Sequence, residues 1–337
     1  MTSPTEERVS IDAARALVAS ALAASKVTEA NAASVARALV AAEVDGQRGH
    51  GLSRVAAYAA QAASGKVNGR ADPSVTKARP ALLTVDAQHG FAFPAVDAAW
   101  DALVPLAKQQ GIAGAAFARS HHAGQLGAHV ERLADAGLVA LMVCNTPKAM
   151  AAWGGATPLY GTNPIAFAAP REHDAPMVID LSLSLVARGK VMAAAQRNEP
   201  IPEGWALDEA GASTTDASAA LKGTMVPVGG PKGAALALMV EVLSATLTGA
   251  NSSRDATSFF DADGDPPGVG HFCIAIDPGA AAAGFDTRLE ALVGVIEAED
   301  GARLPGTSRL ARRKIAETAG IAVSRETLER IRKIAHG

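Results

Sequence analysis

The stretch Asp45-Gly-Gln-Arg-Gly-His-Gly-Leu-Ser-Arg54 sets His50 and Arg54 four positions apart. A helical start puts both side chains on one side. An imidazole that titrates near neutrality, beside a guanidinium able to bind a carboxylate through two hydrogen bonds, suits an acidic substrate. A plain helix start with a surface arginine fits the same spacing. Ser120-His-His-Ala-Gly-Gln125 follows a strand-like run. One of its two imidazoles then reaches the edge of a sheet, where it could pass a proton to a developing alkoxide. The helix expected after it offers free N–H groups to phosphate. A solvated pair of loop histidines fits equally.

Two further blocks carry weaker signals. Tyr160-Gly-Thr-Asn-Pro164 precedes Asp180-Leu-Ser-Leu-Ser-Leu-Val-Ala-Arg-Gly-Lys190. Asp180 ends a short apolar strand and either caps the next helix or accepts a ribose hydroxyl. Lys190 falls one turn into that helix. Pro227-Val-Gly-Gly-Pro-Lys-Gly-Ala234 leads into a helix, and its glycines with Lys232 form a candidate phosphate cradle. No Gly-x-Gly-x-x-Gly follows a strand, and no Gly-x4-Gly-Lys-Ser/Thr occurs. No His-Glu-x-x-His or carboxylate-rich loop proposes a metal.

These blocks need elements to hold them. Apolar spacing predicts helices through residues 8–45, with a second start at Thr28, a break at Asp45-Gly46 and a restart over Leu52–Gln61. Gly65, Gly69 and Pro73 lead into a loop. Strands are expected at Ala81–Val85, Gly111–Phe117, Leu138–Cys144, Ile165–Ala168, Met177–Ile179 and Phe272–Ile276. Helices are expected at Phe93–Gln110, Gly127–Ala136 and Gly233–Leu247. Residues 200–230 read as a long ordered loop. Residues 309–337 read as two short helices broken near Gly320. Helices and strands in mixed order argue for an α/β sheet domain.

The 337 residues permit one large domain or two to three smaller ones at about 150 residues each. With 49% hydrophobic and 19% charged residues the chain reads as globular. A net charge of −3 and 4% aromatics provide neither a phosphate-tracking surface nor a base-stacking platform, which argues against nucleic acid. Cys144 and Cys273 are the only cysteines, too few for a disulfide framework or a cysteine-rich zinc site. They read as buried thiols in a reducing cytosol. The opening Met1–Arg8 lacks a basic segment followed by an apolar one, so export is not expected. The apolar run Ala234–Ala250 is interrupted by Glu241 and is too short to span a bilayer.

Taken in order, the four blocks resemble the type 2 malate/L-lactate dehydrogenase family of NAD(P)-dependent oxidoreductases. His-Gly-x-x-Arg, Ser-x-His, Gly-Thr-Asn-Pro and Asp-x-x-x-Ser-x-x-Ala-Arg-Gly-Lys occur in the family's order. Pro202–Asp208, Thr214–Asp216 and Gly-Gly-x-Lys-Gly follow. The resemblance covers about residues 8–310. It implies a non-Rossmann α/β nicotinamide-binding sheet domain over 79–304. A helical domain over 1–78, joined by helices from 305–337, would accompany it. It also implies NAD or NADP as cofactor, a homodimer or dimer of dimers, a cytoplasmic location and no membrane partner.

Carried over by position, His122 is the expected acid/base residue and cofactor neighbour, with His50 second in the proton path. Arg54 would bind the substrate carboxylate and Thr162 would lie near the substrate. Ala123, Gly124, Gln125, Asp180, Leu181, Ser182, Gly229, Gly230 and Lys232 would line the cofactor. The implied reaction moves a hydride between NAD(P)H and C2 of a small 2-oxo acid. Reduction of a cyclic imino acid is the same-class alternative, and an inactive NAD(P)-binding scaffold is the second. The resemblance departs at three places. Gly49 stands where the family carries Ser before its His. Lys190, kept as a catalytic candidate, stands where imino acid reductases carry a proton-donating Asp, which favours the hydroxy-acid branch. Leu304-Pro-Gly-Thr-Ser308 replaces a Pro-Gly-Glu signature.

Overall fold

The computed structural model describes residues 5–337. Met1–Pro4, half of the stretch read for a leader, lie outside the described residues. Ser10 and Thr28 open the first two helices, Ile11–Ala23 and Glu29–Val44, each accepting a hydrogen bond from a first-turn amide. Two tight turns, Arg48–His50 and Leu52–Arg54, run into helix Val55–Ser64. Gly65 ends that helix with φ 89°, a left-handed conformation that glycine adopts without steric cost. The apolar faces of these helices bury Val18, Leu22, Val35, Leu39 and Tyr58 together with Leu328 and Ile331 of helix Arg325–His336.

Gly320 separates helix Thr307–Ala319 from a strand, Ile321–Ser324, rather than directly from the last helix. That strand pairs antiparallel with Glu6–Val9, so the first predicted helix begins later than expected. Each strand is four residues long and carries no turn signal on its own, because its partner lies at the other end of the chain.

The central sheet has seven strands. Their spatial order is Ser74–Arg79, Leu82–Asp86, Ile112–Ser120, Val269–Ile276, Val139–Cys144, Ile165–Ala169 and Met177–Leu181. Only Leu82–Asp86 and Ile112–Ser120 run parallel; the other neighbours are antiparallel. Ser74–Arg79 lies where the sequence suggested a loop. It is an exposed hairpin arm and so lacks the apolar alternation of a buried strand. Helices Ala92–Gln110 and Leu126–Asp135 pack on the sheet, burying Val96, Trp100, Leu103, Val130 and Leu133 against Phe117 and Met142. Cys144 and Cys273 are free and buried, and burial pushes both thiols up.

The expected 200–230 loop contains structure of its own. Ala206–Leu207, Ser213–Thr214 and Thr224–Met225 form a small sheet beside helix Ala217–Lys222. Helix Pro231–Glu241 continues through one wider turn, Val242–Thr246. A third apolar cluster joins Met150, Leu183, Val191, Ile201, Met225 and Val240. Among the described residues no helix is long and apolar enough to cross a membrane.

Candidate active site

The acidic turn that carries His50 is held from two sides. Asp45 is buried, and its carboxylate takes Arg313 Nε at 2.6 Å, Arg313 Nη2 at 2.8 Å and Gln125 Nε2 at 2.9 Å. Arg313 also binds Glu131 of helix Leu126–Asp135, which accepts Arg309 Nη2 at 3.0 Å as well. Helix Thr307–Ala319 therefore fastens the first block to the loop and helix start of the second. At Gly51 a Cβ would collide with the Glu43 carboxylate, which caps the next turn by accepting the Leu52 amide at 2.9 Å. Glycine is needed there for close approach.

Strand Ile112–Ser120 delivers the two adjacent histidines past its end, and they diverge. His121 Nε2 lies 2.7 Å from Gln61 Oε1. His122 turns the other way. Its Nδ1 is 2.6 Å from Tyr58 Oη, and its Nε2 is 3.1 Å from His50 Nδ1. Tyr58 is 0% exposed and His122 7%. The result is a three-member chain, Tyr58–His122–His50, whose open end is His50 Nε2. No hydrogen bond to that atom is made among the described residues.

Electrostatics keep this chain neutral at pH 7. Burial, and then the Arg54 charge, pushes His50 down to about 4. The same two causes, in the same order, hold His122 well below its ordinary range; His50, His121 and His271 add to this. Burial raises the Tyr58 phenol, so it keeps its proton. Arg54 donates from Nε to Gly49 O at 2.7 Å, while its buried Nη1 has no protein acceptor. A buried, unpaired guanidinium N–H is costly in isolation and becomes a strong anchor once an anion arrives.

The segment carrying Phe259 and Phe260 covers this cluster. The Phe259 ring is 5.2 Å from both His121 and His122, and Phe260 lies 4.3 Å from the Arg54 guanidinium carbon. The segment is tied down at Asp261. Its carbonyl accepts Gln61 Nε2 at 2.9 Å and Lys66 Nζ at 3.1 Å, and its carboxylate accepts Lys66 Nζ at 2.8 Å.

The third and fourth blocks meet in a second group. Gly161 admits no Cβ because it would strike Thr146 O. Asn163 is fully buried, and its Nδ2 donates to Ala237 O at 3.0 Å and Glu241 Oε2 at 2.9 Å. Ser253 donates to the same Glu241 carboxylate from both amide and hydroxyl, each at 2.6 Å. Between them, Thr162 donates its amide to Thr146 Oγ1 at 2.9 Å and accepts the Leu183 amide at 2.9 Å. Leu183 O in turn accepts Val228 N at 2.8 Å, which brings Asp180–Ser182 beside the glycine turn. Gly229 and Gly230 have φ of 63° and 61°, and nothing stands within 4 Å of a Cβ at Gly229. The Lys232 and Gly233 amides open helix Pro231–Glu241, where no intrahelical acceptor exists for them.

The sequence-derived residues thus form two groups. His50, Arg54 and His122 are brought together directly. Thr162, Asp180, Leu181, Ser182, Gly229, Gly230 and Lys232 belong to the second group. Ala123, Gly124 and Gln125 bridge toward it, because Asp180 Oδ2 accepts the Gly127 amide at 2.7 Å. Asp180 therefore caps helix Leu126–Asp135, upstream, rather than the next helix. It also occupies an amide that the sequence reading left open for phosphate. Lys190 lies exposed on helix Arg188–Gln196, and no side-chain hydrogen bond joins it to the histidines. Thr307, at the departing signature, closes its own turn on Leu304 O at 3.2 Å. Sequence reasoning missed Tyr58, Gln61, Phe259, Phe260 and the Asn163–Glu241–Ser253 network. Tyr58 did carry a signal, since it repeats the His50-to-Arg54 spacing once more along the helix. Among the described residues no cluster of side chains could hold a metal ion.

A family model described as malate/L-lactate dehydrogenase matches residues 9–332. The chain is 52% identical over 306 residues to a (2R)-3-sulfolactate dehydrogenase (NADP(+)) of Chromohalobacter salexigens, covering 91% of this chain and 92% of that protein. It is 41% identical over 314 residues to a Δ1-pyrroline-2-carboxylate/Δ1-piperideine-2-carboxylate reductase of Pseudomonas putida, covering 91% of each. Among solved structures it resembles the Δ1-piperideine-2-carboxylate reductase of Pseudomonas syringae. The TM-score is 0.92 at 36% identity, over 97% of this chain and 99% of that one. The sulfolactate dehydrogenase of Methanocaldococcus jannaschii superposes with TM-score 0.89 at 27% identity, over 98% and 97% of the two chains.

Proposed function

Because the chain belongs to the malate/L-lactate dehydrogenase family, we propose that it is an NAD(P)-dependent oxidoreductase. Its reaction moves a hydride between the nicotinamide and C2 of a small 2-hydroxy or 2-oxo acid of the malate, lactate or sulfolactate type. The observation that carries this reading is the unpaired, buried Nη1 of Arg54 beside the His50–His122 pair. Arg54 receives the substrate carboxylate. The carbonyl oxygen gains negative charge as the hydride arrives and needs a positioned proton donor. His50, with Nε2 open, delivers that proton, and His122 stands behind it. This reverses the order drawn from the motifs, because both ring nitrogens of His122 are engaged by protein.

The residues fit a dinucleotide. Gly229 leaves open space at a helix start whose first amides need acceptors, Gly230 lies against the Trp153 ring, and buried Gln125 Oε1 needs a donor. Ala123, Gly124, Gln125, Asp180, Leu181, Ser182 and Lys232 would complete the cradle. The nicotinamide, when bound, supplies or takes up the hydride. We further assign a sheet domain over 79–304 of non-Rossmann type, supported by its mostly antiparallel pairing. The described part of residues 1–78 with 305–337 makes a helical domain, supported by their shared apolar cluster. A homodimer or larger assembly is supported by the exposed apolar row Leu238, Met239, Val242 and Leu247. A cytoplasmic location completes the reading.

NADPH and NADH oxidation with sulfopyruvate, oxaloacetate, pyruvate and two cyclic imines tests it. Turnover of a 2-oxo acid is expected. Turnover of the imines alone would give the reductase reading, which the 41% identical relative keeps in view. Cofactor binding without any turnover would make the chain a scaffold.

A further inference from the structure

Resting on the dehydrogenase reading above, we propose that Tyr58 is a positioning residue. It fixes the tautomers of His122 and His50, so that His50 presents Nε2–H to the reacting oxygen, and it replaces the proton through the relay.

The argument is one of hydrogen-bond accounting. A phenol has one O–H to donate, and Tyr58 Oη has one hydrogen-bond partner among the described residues, His122 Nδ1 at 2.6 Å. The hydroxyl is sealed from solvent among Phe91, Phe93 and His121, whose ring centroids lie 5.2, 6.5 and 5.2 Å from that of Tyr58. Were His122 to donate instead, the phenol proton would be buried without an acceptor. Tyr58 therefore donates and His122 Nδ1 accepts. A neutral imidazole that accepts at Nδ1 carries its hydrogen on Nε2. His122 Nε2 then donates across 3.1 Å to His50 Nδ1, which places the His50 hydrogen on Nε2, the open nitrogen. One hydroxyl sets two ring tautomers.

The same chain balances the proton. As hydride reaches C2, the C=O π pair becomes an alkoxide lone pair, which takes the His50 Nε2 proton. His50 Nδ1 takes the His122 Nε2 proton, and His122 Nδ1 takes the Tyr58 proton. Tyr58 is left as phenolate, and the relay runs backward from water once product leaves His50. An alkoxide is a stronger base than a phenolate; burial raises the Tyr58 phenol and narrows that gap, which favours return of the proton to Tyr58 when the relay resets. The groups facing Tyr58 and His122 are Arg54, His50, His121 and His271. With the two relay histidines neutral, no imidazolium is required.

Tyr58→Phe removes the oxygen and keeps the ring. It should lower kcat for 2-oxo acid reduction about a hundredfold or more, with KM and cofactor Kd nearly unchanged. The wild-type reduction rate should stay flat from neutral pH upward. The variant must use an imidazolium and should fall as pH rises. In selectively 15N-histidine-labelled wild type, both His122 and His50 should carry hydrogen on Nε2. Wild-type kcat with a flat profile in Y58F, or hydrogen on His122 Nδ1 in the wild type, overturns the proposal. The tautomer measurement needs neither the variant nor turnover. A wild type inactive on every substrate would therefore sink the dehydrogenase reading separately.

Discussion

The guanidinium carbon of Arg54 stands 4.3 Å from the centroid of the Phe260 ring, and the buried Nη1 of that guanidinium has no protein acceptor. The aromatic face and the Gly49 carbonyl orient the cation and leave Nη1 for substrate. Neither partner neutralises it, so its charge remains available to a carboxylate.

Arg54→Ala should raise KM for the 2-oxo acid by the equivalent of about 2–5 kcal/mol, the range for truncating one member of a desolvated charge pair. Cofactor affinity should hardly move. Arg54→Lys should recover part, because an ammonium lacks the planar fork. Phe260→Ala should cost less, about 0.5–2 kcal/mol. Steady-state kinetics decide; a wild-type KM in the alanine variant would remove Arg54 from the site.

Removal of His50 should be the most damaging of the histidine changes. His50→Ala should lower kcat by about 10²–10⁴. His122→Ala should lower it less than His50→Ala, since His50 keeps its place, but at least as much as Tyr58→Phe, since it cuts the same relay; His121→Ala should be mild because His121 bonds Gln61 instead. A much larger loss in His122→Ala than in His50→Ala would return the terminal role to His122.

Gly49→Ser should be tolerated. Nothing lies within 4 Å of a Cβ there, so stability should stay within about 0.5 kcal/mol of wild type. His50 Nδ1 already has His122, so an added hydroxyl has no vacant role. A kcat gain beyond about tenfold, or 1.4 kcal/mol, would show that the imidazole pair does not substitute for the family's serine.

Stability should fall as pH drops below neutrality. Burial, the leading cause in each case, pushes His121 to about 3, His129 to about 4 and His271 to about 3. Between those values and the unfolded value of about 6.5, the unfolded chain binds protons that the fold refuses. Stability is therefore fully present above that unfolded value and is lost toward pH 4, by about 1.4 kcal/mol per pH unit for each such histidine. Urea denaturation at pH 7 and pH 5 checks this, and equal midpoints would contradict it.

How much of this was legible in the sequence follows from the range of each interaction. Helix starts at Ser10 and Thr28, the stop at Gly65 and the apolar runs of the inner strands depend on neighbours a few residues away. Most elements could therefore be placed from sequence, and the ordered motifs carried the family. His50 and Arg54 were legible as a pair because helical spacing aligns them. Tyr58 shares that alignment, yet an aromatic on a buried face reads as core until its hydroxyl has a partner. That partner, His122, lies 64 residues away and arrives only through the strand Ile112–Ser120. Val269–Ile276 enters the sheet between Ile112–Ser120 and Val139–Cys144 by backbone pairing that no local pattern encodes. Glu6–Val9 likewise finds Ile321–Ser324 across the whole chain. The sequence determined which groups could do chemistry. Tertiary structure decided which nitrogen of which histidine is open, because that depends on every hydrogen-bond partner the buried rings meet.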